Sequence, residues 1–238
     1  MSFVTVATFN IRHGEGRDGK VDLDRTAAAI KATGASFIAL QEVDRGMKRT
    51  GGVDQPAELA RLTGLHISFH PTLQRGDGRY GLAIASTIPV DSVFKPLPRA
   101  SADEEPRGFV TAQWKGFMIL ATHLSRARAG RKLQTSAIEL WASTLARARY
   151  RPGRRPIAPA VVLGDFNQGP RDLNGLLAAG FTRTERPPVT LKAGRGRAID
   201  HVLAGPGSEL GQVWTIETDA SDHLPLVAEL RVTSAPSH

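Results

Sequence analysis

Two hydrophobic periods alternate along this chain. Short apolar runs, some alternating with polar residues and some unbroken, predict ten strands at 3–11, 36–43, 65–71, 80–87, 107–114, 117–124, 159–166, 198–204, 212–217 and 225–232. Apolar residues at spacings of three and four predict helices at about 23–34, 55–63, 131–149 and 171–179. In the third of these, Leu133, Ala137, Leu140, Trp141, Leu145 and Ala148 share one face, with Arg131, Glu139 and Arg147 among the polar remainder. The stretch "RPGRRPIAP" (151–159) reads as a surface loop, because prolines and a glycine break any regular element. A single domain over 1–238 is expected, since the polar residues of interest lie on both sides of that loop. Many strands and few helices predict an α/β fold of two packed sheets with helices outside. Nothing resembles a dinucleotide-binding glycine fingerprint or a P-loop, and "GGVDQPAEL" lacks the lysine that a phosphate loop needs.

Composition narrows the picture. The chain has 238 residues, 41% hydrophobic and 23% charged, as in ordinary globular proteins. No apolar stretch approaches the ~20 residues of a membrane span, and "MSFVTVATFN" lacks the parts of a signal peptide. Cysteine is absent, which removes disulfides, thiolate catalysis and cysteine-bound metals. A cytoplasmic monomer is expected. Net charge is +8, and 24 of the 31 basic residues are arginine, the side chain that grips phosphate in a fork. Nine basic residues and one acid, Glu139, lie between Arg126 and Arg155. That run reads equally as a solvated helix face and as a surface that meets nucleic acid.

Polar residues at the ends of apolar runs suggest chemistry. Asn10 ends "TVATFN", Glu42 ends "FIALQE", His123 ends "MILATH", and Asp165 and Asn167 close "VVLGDFN". Asp200 opens "DHVLA", while Asp222 and His223 precede "LPLVAEL". Each alone has an ordinary structural explanation as a turn former or a strand end. Together they are only Asp, Glu, Asn and His, and strand ends gathered along one edge would bring them into one cleft. Strand alternation puts Asp165 and Asn167 on one side and Phe166 on the other, in the core. Carboxylates and amides are hard ligands suited to Mg²⁺, or Mn²⁺ in its place; His13, His123 and His223 leave zinc open. A carboxylate can deprotonate an attacking water, and a protonated histidine can stabilise an oxyanion or a leaving group.

The blocks "ATFNIRHGEG", "ALQEVD", "ATHLS", "VVLGDFN", "IDHVL" and "SDHLPL" resemble, in order, the six signature blocks of the endonuclease/exonuclease/phosphatase superfamily. The match runs from position 5 to 227. The resemblance implies a four-layer αββα sandwich with two central mixed sheets, and divalent-metal-dependent cleavage of phosphate esters. By position it implies Glu42 as the principal metal carboxylate, with Asn10 and Asp222 beside the metal. It implies His123 acting on the phosphate or leaving group, and Asp165 with Asn167 positioning water and phosphate, Asp165 as the base. Asp200 matches the aspartate that orients a histidine, and His223 the imidazole on a phosphate oxygen. His201 should point away from Asp200 and serve structure. Arg107 in "EEPRGFV" matches a position near the cleft, read either as a phosphate contact or as a surface ion pair. Tyr80 opens "YGLAIAS", where Leu82 replaces the asparagine usual in relatives and puts a transferred substrate contact in doubt. Arg12 and His13 read equally as substrate contacts and as solvated loop.

"NIRHGEGRDGKVDLDR" is most similar to a branch of small bacterial metal-dependent hydrolases, a resemblance that supplies no substrate. The expectation is a phosphodiesterase acting by in-line attack of water, with DNA or RNA favoured by the basic charge. Alternatives are a phospholipid-headgroup or small-molecule phosphoesterase, which at a membrane would want an exposed apolar loop, and a catalytically silent nucleic-acid-binding module. The silent module would be expected to lose principal site residues, and none is missing.

Overall fold

Strand alternation sorts the apolar side chains into two sets, and each set meets a different layer. The computed structural model describes residues 3–149, 158–192 and 194–232. The elements in order are β1 (Val4–Asn10), α1 (Leu23–Ala32), β2 (Phe37–Arg45), α2 (Gln55–Thr63), β3 (His66–Arg75), β4 (Gly78–Ser86) and β5 (Ser92–Pro96). They continue with β6 (Gly108–Trp114), β7 (Phe117–His123), α3 (Arg128–Arg149), β8 (Ala160–Asp165), α4 (Asn174–Ala178), β9 (Asp200–Ala204), β10 (Ser208–Thr215) and β11 (Leu226–Val232). One sheet has the order β10-β11-β1-β2-β4-β3 and the other β5-β6-β7-β8-β9. Each is mixed, with one parallel pair apiece, β1 with β2 and β7 with β8.

Val6, Phe37, Ile84, Ile119, Val161 and Leu163 point between the sheets and form the central core. Their neighbours point outward. Ala7, Phe9, Ile38 and Leu40 meet Ile30 of α1 and Leu59 of α2, whereas Leu120, Val162 and Leu203 meet Ile138 of α3 and Leu176 of α4. The result is the four-layer αββα sandwich. Helix starts follow local chemistry: the Asp22 carboxylate accepts from the Arg25 backbone N–H at 2.9 Å and Asp54 from that of Ala57 at 3.1 Å.

The described residues hold eleven strands, one more than the sequence pattern predicts. The missed strand, β5, is an edge strand ending in Pro96, with Lys95 and Val93 exposed. Edge strands satisfy only one side, so their apolar signal is weak. The predicted face of α3 is also corrected. Leu133 and Leu140 are 47% and 66% exposed, and the buried face carries Gln134, Thr135, Ile138 and Ala142. Gln134 can be buried because its amide accepts from Ser125 N–H at 2.8 Å and donates to the Pro98 carbonyl at 3.1 Å. Thr135 accepts from Gln168 Nε2 at 3.0 Å. The side chains of Leu145, Arg147 and Ala148, and the loop at 151–157 with its arginines, lie outside the described residues. The predicted helix at 171–179 is a short turn at Pro170–Asp172 followed by α4.

Candidate active site

The parallel strands β1, β2, β7 and β8 all run toward one edge of the sandwich, and β9 and β11 start there. Sheet register then does the assembling. His123, Asp165 and Asp200 are direct neighbours on β7, β8 and β9. Asn10, at the end of β1 in the other sheet, donates from Nδ2 to Asp165 Oδ2 at 3.0 Å and to Glu42 Oε1 at 3.1 Å. The closing loop is fastened by Ser221, whose hydroxyl donates to the Asn10 carbonyl at 2.8 Å and accepts from His223 N–H at 3.2 Å. His223 Nδ1 thereby meets Asp200 Oδ2 at 2.9 Å, and its Nε2 lies 3.9 Å from Asp165 Oδ2. Asn10, Glu42, His123, Asp165, Asp200 and His223 thus form one chain of contacts across both sheets.

Backbone distortions aim these groups. Between Leu40 and Val43 the pairing of β2 with β4 slips, so Gln41 and Glu42 face a single partner, a bulge that redirects Glu42. Glu42 has φ of 59°, and Arg12, His13 and Asn167 also have positive φ. Four of the five non-glycine residues with positive φ in the described chain therefore border this site, consistent with strain held at a functional edge. Gly164, with φ of 147°, lets β8 approach β7: a Cβ there would stand 2.0 Å from the Thr122 carbonyl oxygen.

Asn167 and Asp165 come together by a different route from the one strand alternation suggests. β8 ends at Asp165, and Asn167 adopts φ of 52° beyond it, with its backbone N–H donating to Asp165 Oδ1 at 2.8 Å. The Asn167 amide Nδ2 is held by the Leu124 carbonyl at 2.9 Å. Phe166 points the other way and is fully buried. His201 is likewise buried, with Nε2 on the Gln168 carbonyl at 2.9 Å and its ring against Phe166. Asp222 is only half-buried and lies outside the tight group; its carboxylate accepts from Ser221 Oγ at 3.4 Å.

Burial and mutual charge give these residues distinct proton affinities. Burial, then the neighbouring Asp200 carboxylate, raises the pKa of Asp165 to about 7. Burial opposes charge on His223, but Asp200, Asp165 and Asp222 overcome it and raise His223 to about 10. Burial, then the Arg107 guanidinium, pushes His123 well below its ordinary 6.5. At neutral pH the edge therefore holds one cationic and one neutral imidazole on either side of a carboxylate poised to exchange a proton.

Arg107 is a buried side chain that pairs with Glu105 and also reaches into the site. It is 5% exposed, and its Nη1 lies 2.7 Å from His123 Nδ1, 2.9 Å from Glu105 Oε1 and 3.3 Å from the Tyr80 hydroxyl. A guanidinium only donates, so His123 Nδ1 must accept and the ring proton sits on Nε2. That nitrogen faces Asp165 Oδ2 at 3.4 Å. Arg12 pairs with Glu15 at 2.8 Å, while His13 Nδ1 is buried without a hydrogen-bond partner 4.0 Å from Glu42 Oε2. The sequence reading missed Gln41, Gln55 and Ser221. Gln55 Nε2 holds the His13 carbonyl at 2.7 Å, and Gln41 is buried against Thr8. Ser221 was visible within "SDHLPL", but a lone serine carries no signal of what it fastens.

Two places could hold a cation. The ligand atoms of Asp165, Asp200 and His223 lie within 4.8 Å of one another. His223 could offer only Nε2 there, since Nδ1 is on Asp200, and a cation would have to displace the proton that the surrounding carboxylates favour on the ring. The other place lies between Glu42 and Asp165, whose oxygens both face the Asn10 amide hydrogens. Two hard oxygens converging on one electropositive group fit a divalent cation that takes one or two carboxylates.

The fold is thus a sandwich of two mixed sheets with a carboxylate–histidine cluster at its strand ends. The model of the endonuclease/exonuclease/phosphatase family matches residues 7–223, so this chain belongs to that family, whose members hydrolyse phosphate esters and generally use a divalent metal. An endonuclease/exonuclease/phosphatase from Beutenbergia cavernae has the same fold with a TM-score of 0.78 and 24% identity, over 100% of this chain and 74% of that one. A mannosyl-6-phosphatase from Bacteroides thetaiotaomicron superposes with a TM-score of 0.68 and 16% identity, over 96% of this chain and 99% of the other. The human Nocturnin catalytic domain, solved with a bound sulfate anion, gives 0.68 and 19%, over 98% and 94%. No curated protein matches the sequence. Among the described residues no helix is long and apolar enough to cross a membrane.

Proposed function

We propose that this chain is a single catalytic domain that hydrolyses a phosphodiester with the help of Mg²⁺ or Mn²⁺. The observation that carries the reading is the setting of Asp165, a buried carboxylate whose Oδ2 lies 3.4 Å from His123 Nε2 and 3.9 Å from His223 Nε2 at the edge where both sheets meet, with burial and Asp200 raising its pKa. Asp165 accepts the proton of the attacking water as that oxygen bonds to phosphorus, the P–O bond to the leaving alcohol breaks in line, and the leaving oxygen takes a proton from solvent. Asn167 N–H, on Asp165 Oδ1, keeps that carboxylate's orientation through the proton transfer. His223, charged and held by Asp200, donates from Nε2 to a phosphoryl oxygen. His123, locked by Arg107 with its proton on Nε2, donates to a second. Glu42 would hold the cation, with Asp222 at its margin, and the Asn10 amide, which donates to both Glu42 and Asp165, would fix the two carboxylates relative to each other. When bound, the cation neutralises charge that develops on the phosphoryl group.

What supports a polyanionic substrate, DNA or RNA among them, is cationic surface beside the site. A groove of about 350 Å³ is lined by Arg128, Arg131 and Lys132 against Glu139 and Asp172, and it includes Gln168, next to Asn167. The test uses bis(p-nitrophenyl) phosphate. Hydrolysis is expected with Mg²⁺ or Mn²⁺, none with EDTA, and none from Asp165→Ala even though that variant unfolds cooperatively. Turnover that survives chelation, or an undiminished rate in Asp165→Ala, refutes the reading.

A further inference from the structure

A second cavity, of about 210 Å³, opens directly onto Glu42, Tyr80 and Arg107. The rest of its lining is Arg49, Arg75, Arg126 and the Glu105 carboxylate, with Met47 and Leu73 as its apolar part. The cationic side is built rather than incidental. Asp44 is fully buried, accepts from Arg49 Nε at 2.8 Å and Nη2 at 2.7 Å, and takes a third bond from Thr50 Oγ1 at 3.2 Å. That clamp lays the Arg49 guanidinium over the Tyr80 ring, 5.3 Å from its centroid. The Tyr80 hydroxyl in turn accepts from Arg107, so a fixed ladder runs from this cavity to His123.

Charge in the cavity does not cancel. Arg49 is balanced by Asp44 and Arg107 by Glu105. Arg75, at the end of β3, and Arg126, just after β7, are exposed and have no ion pair among the described residues. Even against Glu42, the other carboxylate of the lining, Arg75 and Arg126 leave a positive excess, and two guanidiniums facing one space present forked donors suited to phosphate oxygens. The apolar part suits a short organic spacer. The volume is below the ~300 Å³ at which pockets begin to enclose a whole ligand, so it takes part of a molecule whose rest lies on the catalytic edge.

From this we infer that the cavity is a subsite for a second phosphate, and that the substrate is a phosphate ester carrying another phosphate group one short spacer from the scissile one. The inference rests on the phosphoesterase reading above and gives that reading its substrate class. A nucleic-acid strand and a small bisphosphate offer the same chemistry at this distance.

The experiment compares the p-nitrophenyl ester of thymidine 5′-phosphate with its 3′-phosphorylated form and with a 3′-extended oligonucleotide ester, in Mg²⁺. The 3′-phosphate is expected to raise kcat/KM roughly tenfold, chiefly through KM. The double variant Arg75→Gln with Arg126→Gln should bring that ratio close to one. A further gain from the extended ester identifies a strand as the source of the second phosphate, and no further gain identifies a small molecule. A ratio near one in the unmodified protein, or a ratio unchanged in the double variant, overturns the subsite. If neither ester is cleaved in Mg²⁺ or Mn²⁺, the phosphoesterase reading fails by itself, and calorimetry with thymidine 3′,5′-bisphosphate decides the subsite separately. Binding that the double variant loses supports it; no binding to the unmodified protein overturns it.

Discussion

Replacing Asp200 with Asn isolates the electrostatics of the site, because the change is nearly isosteric. Asp200 Oδ2 would become an amide oxygen still able to accept from His223 Nδ1, and Oδ1, which is buried without a partner, would become an equally unpartnered NH₂. What disappears is one negative charge facing His223, with Asp165, Asp222 and His123 as the remaining titratable neighbours. Folding raises His223 from 6.5 to about 10, so the charged pair stabilises the fold in full below about pH 6.5 and is lost as pH rises through about 10. At ~1.4 kcal/mol per pH unit, that interval bounds the contribution at roughly 5 kcal/mol. Asp165 acts in an earlier window. Its pKa is raised from 3.8 to about 7, so its ionisation weakens the fold progressively between those values, and Asp200 is the main charged cause. Asp200→Asn should therefore flatten stability against pH in both windows. Urea unfolding in EDTA from pH 4 to 10 measures the slopes, and NMR titration of the His223 ring should show its pKa lowered from that of the unmodified protein. With less of His223 charged at pH 8, the rate should drop by up to about 10²–10³-fold, the usual effect of losing a preorganised oxyanion donor. A variant whose His223 still titrates near 10, or whose stability keeps the original slope between pH 7 and 10, would show that Asp200 is not what holds the charge.

Two further outcomes are expected. Arg107→Met removes both a cation that depresses His123 and the donor that fixes its tautomer. The His123 pKa should rise in ¹⁵N NMR, the Nε2–H form should lose its dominance, and kcat should fall about tenfold or more at neutral pH; an unchanged tautomer would remove Arg107 from that role. Gly164→Ala puts a methyl group 2.0 Å from the Thr122 carbonyl at a backbone angle that side chains avoid. A loss of several kcal/mol in denaturant unfolding, or no folded protein, is expected, and a loss under ~1 kcal/mol would mean that β7 and β8 can separate freely.

The strand pattern carried much of the architecture. Val6 with Ala7, and Val161 with Val162, already alternate between the two faces that the central and outer cores occupy. Order along the chain also placed Asn10, His123, Asp165 and Asp200 at strand ends, whereas Glu42, expected at one, lies at a bulge inside β2, which runs on to Arg45. The helical pattern of α3 misled, because Leu133 and Leu140 are exposed while Gln134 is buried. Burial of that glutamine depends on acceptors and donors from Ser125 and Pro98, one of them 36 residues away, and no period reports such partners. Strand alternation likewise brought Asp165 and Asn167 together for a reason that does not apply past the end of β8.

Local sequence determined which side chains stand near the rim, since an apolar run that ends in a polar residue marks where a strand leaves the core. Tertiary structure alone decided their chemistry. The Asn10 amide meets Asp165 across 155 residues, and the Ser221 hydroxyl meets the Asn10 carbonyl across 211. Proton affinities are set by charges a few ångströms away and by exclusion of water, and both are properties of the packed sheets rather than of any segment. Arg107 shows the division best: the sequence marks an arginine near a cleft, and only packing turns its guanidinium onto His123 Nδ1.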